Sequence, residues 1–441
     1  MALCSYDHFI RTSNPVHFEA VQYFWQMLQA RGFIYRGKHE GWYSVSDETF
    51  YPESAIEHTL DPETGQKTAV ARETGKAVEW TSETNYHFRL SAMAPRLLEF
   101  YEKNPSFVVP SFRYRDVIEA VKGGLDDLSV SRPRDRLTWG IPVPDDDSQT
   151  VYVWLDALIS YLTVTGYPWT PGTEGAHGWP ADLHVVGKDI LKFHAIYWPA
   201  FLLALQLPPP KQILSHAHWT MNHKKMSKSV GNVVNPFFAA QRYGIDTMRF
   251  VMAHDGGIKD DRDYSNEMIV ERYNHELRFN IGNLLNRVCS ASFDIPEALA
   301  ESTRAVWTLD SRDRIQMAQA STAAEEAWEL MEKLDVPGAL KQIISLVHHS
   351  NRYFQQKSPW ALKGPNQRSE QNKIVFLAAE SLRVAAIMLQ PFMPDKATEA
   401  LDHLNVHKKK RTIEFAAYGK DSTYGKETRG KMGLLFPPLS E

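Results

Sequence analysis

Apolar residues recur every three or four positions from about residue 265 to about residue 400, the spacing of one buried face of a helix. Ser265 precedes this region and Glu267 follows it closely, as is typical of a helix N-terminus. The three clearest stripes are Ile269, Tyr273, Leu277, Ile281, Leu284 and Val288; Leu340, Ile343, Ile344, Val347 and Phe354; and Ile374, Leu377, Ala378, Leu382, Ala385, Ile387 and Leu389. Several such helices joined by short loops predict an antiparallel bundle.

The first part of the chain, residues 1–255, instead mixes short apolar runs with helical ones in an α/β rhythm. Residues 149–154, 183–186 and 213–216 are predicted strands, and a predicted helix over 190–203 follows the second of them. All three strands end on polar or aromatic residues. Because ligands bind beyond the carboxyl ends of the strands in an open parallel sheet, we expect these ends to line a cleft.

Composition narrows the class of protein. A chain of 441 residues with 43% apolar residues predicts two or three domains with sizeable cores. The net charge of −4 gives no whole-chain signal of nucleic-acid binding. The basic run 407–411 is a candidate RNA contact, although such runs are more often solvated linkers.

Cysteine usage and hydropathy exclude further classes. Cys4 and Cys289 are far apart and form no CxxC pair, which excludes a cysteine zinc knuckle and argues against a disulfide scaffold. No apolar run reaches the ~18 residues that span a bilayer. The sequence therefore indicates an intracellular protein without a membrane partner.

A compact cationic motif lies near the middle of the chain, in the run Lys225-Met226-Ser227-Lys228-Ser229. Two lysines three positions apart, set among small hydroxyl residues, are suited to neutralising the charge of a polyphosphate leaving group. The alternative is an ordinary solvated surface loop.

This motif, called the lysine loop below, resembles the signature loop of class I aminoacyl-tRNA synthetases. An ordered series of motifs resembles the methionyl-tRNA synthetase family in its short organellar or bacterial form. The resemblance covers nearly the whole chain, except for about the last thirty residues. The series is Gly41-Trp42-Tyr43, Trp80, Asn85-Tyr86, Phe88-Arg89-Leu90-Ser91, Leu128-Ser129-Val130-Ser131-Arg132, Trp139-Gly140-Ile141-Pro142, Tyr152-Val153-Trp154-Leu155-Asp156-Ala157, Tyr161, Gly187-Lys188-Asp189-Ile190, Phe193-His194, Trp198-Pro199-Ala200, the lysine loop, Tyr243-Gly244-Ile245-Asp246, Gly282-Asn283-Leu284-Leu285-Asn286-Arg287 and Pro359-Trp360.

The resemblance implies a fold and an activity. The implied fold is a Rossmann-type α/β catalytic domain over 1–255 with a connective insertion at about 36–145, an α-helical anticodon-binding domain over 256–405, and a tail over 406–441. The implied reaction joins methionine and ATP to give methionyl-adenylate and pyrophosphate, then transfers methionine to tRNA(Met). Mg²⁺ should accompany ATP.

The resemblance also assigns a methionine pocket, made of Trp154, Ala157, Tyr161, Phe193 and His194. Aromatic faces contact a thioether favourably, and Tyr and His can add a polar contact to the sulfur. The alternative is an aromatic core cluster. The better-known bacterial forms have proline where this chain has Leu158, which leaves the local pocket shape open.

Two further groups follow from the resemblance. ATP contacts are expected from Gly187, Asp189, Lys225, Ser227, Lys228 and Arg132, with Lys225 and Lys228 as the catalytic cations. Lys228 is the stronger candidate for contact with the transition state, and Arg132 has a structural salt bridge as its alternative. Anticodon contacts are expected from Asn283, Arg287 and Trp360, since Asn and Arg can hydrogen-bond single-stranded bases and Trp can stack on one. Out of context, Asn283 and Arg287 would more often be a surface pair on a helix.

Two departures from the family pattern limit these expectations. The family's His-x-Gly-His type signature is not found from residue 1 onward, so the chain is expected to begin inside the catalytic domain, as a truncated or alternative gene product with impaired methionine activation. ATP–pyrophosphate exchange comparable to that of a full-length enzyme would contradict this. Residues 44–47 stand where many relatives have a cysteine pair, so no bound zinc is expected, which metal analysis would check.

Two alternatives to a methionine–tRNA ligase remain at this point. The chain could be a non-catalytic tRNA-binding product, or another class I ligase for leucine, valine or cysteine. Those ligases need an editing insertion or zinc-binding cysteines, and neither is visible. The segment 216–219 and the lack of a C-terminal dimerisation module are similar to the mitochondrial form, so a monomer in the mitochondrial matrix is expected, with a bacterial cytoplasm as the alternative.

Overall fold

The computed structural model describes residues 3–45, 49–51, 53–60, 65, 67–72, 74–170, 172–226, 231–425 and 433–439. The chain forms two compact units. The N-terminal unit is Tyr6–His216, and the C-terminal unit is Ala217–Glu441 together with Met1–Ser5. The domain boundary at residue 255 and the bounds of the connective insertion stay predictions.

The N-terminal unit is an α/β structure. Its described helices are α1 (Pro15–Ala30), α2 (Ala94–Lys103), α3 (Ser111–Lys122), α4 (Val153–Thr163) and α5 (Trp198–Ala204). Its described strands are β1 (Ile34–Ser44), β2 (Thr49–Tyr51), β3 (Ile56–Leu60), β4 (Lys67–Ala71), β5 (Ala77–Phe88), β6 (Val108–Val109), β7 (Leu128–Ser129), β8 (Ser131–Pro133), β9 (Pro142–Val143), β10 (Asp146–Val151), β11 (His184–Gly187) and β12 (Ile213–His216).

A three-stranded parallel sheet has the strand order β11-β12-β6. Two of the predicted strands, 183–186 and 213–216, correspond to β11 and β12, and Gly187 pairs with His216 at their carboxyl ends. Both strands therefore deliver their last residues to one edge, as the sequence predicted. The third strand, β6, lies in the region expected to be an insertion.

The prediction of a strand over 149–154 was wrong in two respects. The strand β10 ends at Val151 and belongs to an antiparallel sheet of order β8-β10-β9, not to the parallel sheet. Val153 and Trp154 already lie in helix α4. A short apolar run fits both periods, and here the helical spacing of the residues that follow decides the outcome.

The remaining strands of this unit form an antiparallel sheet of order β2-β1-β5-β4-β3, with β7 also pairing with β5. Helices α1 to α5 pack their apolar faces into one core, in which Phe24, Trp25, Phe88, Trp198 and Phe201 are fully buried. Helix α1 packs directly against α4.

The C-terminal unit is mainly helical. Its described helices are α6 (Pro236–Tyr243), α7 (Ile245–Asp255), α8 (Asn266–Arg272), α9 (Asn283–Val288), α10 (Ile295–Ser302), α11 (Ser311–Glu332), α12 (Val336–Lys357), α13 (Arg368–Leu389) and α14 (Pro394–His403). Its described strands are β13 (Trp219–Met221), β14 (Lys224–Lys225) and β15 (Arg262–Asp263). A π-helical segment, Tyr273–Gly282, joins α8 to α9.

The predicted helices are present, and their apolar stripes form the core. All residues of the three stripes are buried, and α13 is buried on every face because other helices surround it. The Ser265 side chain accepts a hydrogen bond from the backbone N–H of Met268 at 3.1 Å, so the predicted N-terminal cap is confirmed. Near the chain end, Leu435 and Phe436 pack into the same core.

The basic run 407–411 is folded, and part of it is paired. The Lys410 ammonium lies 2.7 Å from the buried carboxylate of Asp421, and the Arg411 guanidinium lies 2.6 Å from Asp402. These two cations have partners inside the unit, so the run is not a plain solvated linker.

Candidate functional site

The aromatic residues expected to form a pocket project from α4 and from the π-helical segment Phe193–Tyr197. Ala157 and Tyr161 follow Trp154 by three and seven positions, so the three side chains share one face of α4. The Trp154 and Phe193 rings stack face to face, with centroids 3.6 Å apart and an interplanar angle of 8°. One helix face and one wide helical turn thus bring the predicted set together.

A hydrogen bond joins Tyr161 to His194 across this pocket. The Tyr161 hydroxyl lies 2.7 Å from His194 Nε2, and His194 Nδ1 lies 2.9 Å from the carbonyl oxygen of Ile190. A carbonyl only accepts, so Nδ1 carries the proton and the Tyr161 hydroxyl donates to Nε2. The tyrosine oxygen keeps its lone pairs for a ligand.

Burial keeps the pocket uncharged. It lowers the pKa of His194, although the Ile190 hydrogen bond opposes this, and it raises the pKa of Tyr161. Both side chains are therefore neutral near pH 7. A neutral, aromatic site is suited to an uncharged thioether.

Sequence reasoning missed His184 as a neighbour of this pocket. Its ring lies against the Tyr161 ring, with centroids 4.2 Å apart. Burial, and after it the charge of the nearby His194, lowers the pKa of His184 to about 4. Trp198 is also close to Tyr161, at 6.3 Å between centroids. A polar residue inside an apolar strand run was the signal that could have indicated His184.

The residues expected to contact ATP in the N-terminal unit follow β11. Gly187 ends that strand, and Asp189 lies exposed in the 3-10 turn Lys188–Ile190. Gly187 therefore lies at the carboxyl ends of the parallel strands, which is the edge where the sequence predicted a ligand.

Arg132 lies on β8, away from that turn in the sequence. Its guanidinium sits 4.2 Å from the centre of the Tyr152 ring, and Nη1 donates to Ser129 Oγ and to the Ser131 carbonyl, each at 2.8 Å. Arg132, Tyr152 and Asp156 line a cavity of about 450 Å³. Ring and hydroxyl contacts thus hold this cation beside a space large enough for a small ligand.

The lysine loop begins at a hairpin in the C-terminal unit. Strand β14 pairs with β13 and ends at exposed Lys225, whose carbonyl accepts a hydrogen bond from Asn232 Nδ2 at 3.2 Å. Ser227 and Lys228 lie outside the described residues. Asp263 holds the hairpin, since Oδ1 accepts from Thr220 Oγ1 at 2.8 Å and from the His223 N–H at 2.9 Å.

The expected anticodon residues meet on one surface of the helical bundle. The Arg287 guanidinium lies 5.0 Å from the centre of the Trp360 ring and 5.2 Å from that of Phe354. Trp360 is 40% exposed, so part of its ring is accessible for stacking. Asn283 is one helical turn before Arg287 on the same face.

Two residues that sequence reasoning missed orient this surface. Gln355 Oε1 accepts from Arg287 Nη2 at 2.7 Å, and Asn351 Oδ1 accepts from Asn283 Nδ2 at 3.1 Å. Both lie on α12, one turn apart. The four-residue spacing that matches Asn283 and Arg287 was the signal available in the sequence.

The residues that the structure describes offer neither a metal-binding cluster nor a membrane-spanning helix. They contain no group of three or more His, Cys, Asp or Glu placed to hold a metal ion. Among the same residues, no helix has the length and apolar character needed to cross a bilayer.

Comparison with known families agrees with this architecture. Residues 2–289 match the family described as tRNA synthetases class I (M), and residues 300–427 match the anticodon binding domain of methionyl tRNA ligase. The fold and these matches thus define a class I aminoacyl-tRNA synthetase.

Individual relatives indicate which member of this class the chain resembles. A probable mitochondrial methionine–tRNA ligase of Neurospora crassa is 49% identical, over 98% of this chain and 72% of the relative. A methionine–tRNA ligase of Brucella suis is 41% identical, over 92% of this chain and 76% of the relative. The structure of Mycobacterium tuberculosis methionyl-tRNA synthetase bound by methionyl-adenylate superposes with a TM-score of 0.86 at 35% identity, over 99% of this chain and 84% of that one. The chain belongs to the methionyl-tRNA synthetase family.

Proposed function

We propose that this chain is a methionine–tRNA ligase that activates methionine with ATP and reads the anticodon of tRNA(Met) with the helices of its C-terminal unit. The observation that carries the proposal is the neutral aromatic pocket formed by Trp154, Phe193, Tyr161 and His194. Exchange of pyrophosphate into ATP tests it, and the criterion is the dependence of the exchange on methionine, not its rate. Exchange that depends equally on leucine or valine, or that ignores methionine, would contradict it.

Methionine binding follows from the chemistry of the pocket. The stacked rings of Trp154 and Phe193 offer polarizable surface to the side chain, and the Tyr161 hydroxyl offers a polar contact to the sulfur. Ala157 leaves room on the same helix face. Leucine and isoleucine differ from methionine in both shape and polarity, so the ring contacts and the sulfur contact both disfavour their binding.

ATP binding is assigned to residues of each unit separately. In the N-terminal unit, Gly187 allows close approach of the backbone, Asp189 accepts from the ribose, and Arg132 adds a positive charge. In the C-terminal unit, Lys225, Ser227 and Lys228 contact the phosphates. Mg²⁺ enters with ATP as part of the substrate, and we expect no zinc. Positioning and charge stabilisation carry the reaction, with no protein nucleophile.

The expected partners and location complete the proposal. The protein acts as a monomer on tRNA(Met) in the mitochondrial matrix, and mitochondrial relatives of Neurospora crassa and Schizosaccharomyces pombe support that location. Because bacterial relatives are also similar, a bacterial cytoplasm is the alternative. Size measurement in solution and localisation of a tagged protein test these two points.

Replacing Tyr161 by phenylalanine should lower the preference for methionine over norleucine, which lacks the sulfur, by roughly 10-fold. The substitution removes the hydroxyl that would contact the sulfur, and it leaves His194 Nε2 without its hydrogen-bond donor. The measurement is kcat/KM in pyrophosphate exchange with each amino acid. Tyr23→Phe, a matched change at a surface tyrosine in edge-to-face contact with Tyr167, should leave the ratio unchanged. An unaltered ratio in Tyr161→Phe would exclude the sulfur contact.

Replacing Trp360 by alanine should weaken tRNA(Met) binding about 10-fold, because a stacked base contributes roughly 1–3 kcal/mol. Filter binding at one fixed salt concentration measures this, since tRNA affinity depends on salt. Trp328→Ala is the control, because that tryptophan is also exposed in the C-terminal unit but lies on α11. Equal binding by the two variants would remove Trp360 from the anticodon surface.

A further inference from the structure

His17 is a fully buried histidine that the proposed mechanism does not use. It lies in the first turn of α1, and both of its ring nitrogens are hydrogen-bonded to α4. Nε2 lies 2.6 Å from Asp156 Oδ1, and Nδ1 lies 2.8 Å from Thr163 Oγ1. One side chain therefore bridges two points of α4 that are seven residues, or about two turns, apart.

Both ends of the bridge are hydrogen bonds. Thr163 Oγ1, which contacts His17 Nδ1, also lies 3.1 Å from the carbonyl oxygen of Ile159 in the same helix. At the other end, Nε2 lies 2.6 Å from Asp156 Oδ1, which is a hydrogen-bond distance. Each contact thus fixes the ring in one orientation, which a purely apolar packing residue would not do.

The same two turns of α4 carry the methionine pocket. Trp154, Ala157 and Tyr161 form one row along the helix, and Asp156 and Thr163 form another row over the same span. Tyr161 and Trp154 each meet a partner ring from the 193–197 segment. A rotation or shift of α4 would therefore separate the pocket's two walls.

We propose that His17 is a positioning residue for methionine recognition, which holds α4 through Asp156 and Thr163 so that Trp154 and Tyr161 meet Phe193 and His194. This inference rests on the proposed function, because it assigns the ligand of that pocket. His17 touches neither substrate, and it acts on methionine affinity through the helix. ATP contacts at Gly187 and Asp189 lie on another element and should not change.

The decisive variant is Thr163→Val, which removes one end of the bridge without changing side-chain volume much. Methionine affinity should fall about 10-fold, because the pocket is then less preorganised and methionine must order it on binding. The KM for ATP in pyrophosphate exchange should stay within about twofold. Titration of tryptophan fluorescence with methionine gives the affinity, because Trp154 lies in the pocket.

Thr165→Val is the matched control. Its hydroxyl also donates to a carbonyl of its own chain, that of Leu162 at 2.8 Å, but it makes no contact with His17. His17→Gln is the second variant, since glutamine retains one polar contact and should give an intermediate loss. Folding of each variant is checked by circular dichroism.

The outcomes separate the two proposals. If the unmodified chain shows no methionine-dependent signal, the proposed function fails and this inference fails with it. If the unmodified chain binds methionine and Thr163→Val binds it equally well, only the role of His17 is overturned. Equal losses of methionine and ATP affinity would also overturn it, because they indicate general loosening of the fold.

Discussion

Replacing Lys228 by alanine should slow formation of methionyl-adenylate about 100-fold or more, the usual cost of removing one group that stabilises charge developing in a transition state. Negative charge builds on pyrophosphate as the methionine carboxylate attacks the α-phosphate. A flexible ammonium can follow that charge, and a neutral methyl group cannot. The effect should appear in kcat more than in the KM for methionine, because the contact strengthens in the transition state.

The chain offers a close control for this experiment. Lys224 lies beside Lys225 on the same exposed strand of the hairpin, so Lys224→Ala removes the same charge close to the loop. We expect less than a threefold change in Lys224→Ala, because a surface charge outside the loop is screened by solvent. Pyrophosphate exchange is the measurement for both variants. A loss shared equally by the two would mean that net positive charge matters and the position of Lys228 does not.

The pocket could be predicted because its residues have helical spacing and an unusual composition. Trp154, Ala157 and Tyr161 share a face in any helix that contains them, and Phe193-His194 follows a strand end by a few residues. The face-to-face contact of Trp154 with Phe193 could not be predicted. It depends on the π-helical turn at 193–197, and wide turns have no reliable local signal.

Other features escaped prediction because they join distant parts of the chain. His17 and Asp156 are 139 residues apart, and neither has a sequence environment that names the other. The parallel strand β6 is only two residues long, too short for its apolar pattern to be recognised. By contrast, the helical bundle was predictable, since helices such as α12 and α13, with 22 residues each, repeat their apolar spacing over several turns.

Replacing Arg383 by methionine should destabilise the C-terminal unit by about 3–5 kcal/mol, one of the largest losses expected from a single change outside the active site. Arg383 and Glu380 are fully buried on α13, and the guanidinium Nη2 lies 2.6 Å from the carboxylate. Burial alone would lower the pKa of Arg383, but the hydrogen bonds and charge of Glu380 raise it above its ordinary value. Methionine keeps the bulk of the side chain and leaves the carboxylate without its counter-charge.

The same pair holds the chain segment that follows α14. Glu380 accepts hydrogen bonds from the Gly419 N–H at 2.7 Å and from the Tyr424 hydroxyl at 2.9 Å. Arg383 Nη2 also donates to the Ala417 carbonyl at 2.9 Å. Loss of the arginine should therefore release this segment together with the helix, so protection from hydrogen exchange should fall in both.

Urea-dependent hydrogen exchange of peptides from α13 measures the loss. Lys333→Met is the control, because its ammonium lies 3.9 Å from Glu329 on an exposed helix surface, where an ion pair contributes about 0–1 kcal/mol. Adding Glu380→Gln to Arg383→Met should recover part of the stability, since no unpaired charge then remains buried and the amide oxygen still accepts one of the two hydrogen bonds from Gly419 and Tyr424. If the double variant is no more stable than the single one, the cost comes from lost packing and not from the buried carboxylate. The pair would then contribute to this fold by its shape, and its charge would be incidental.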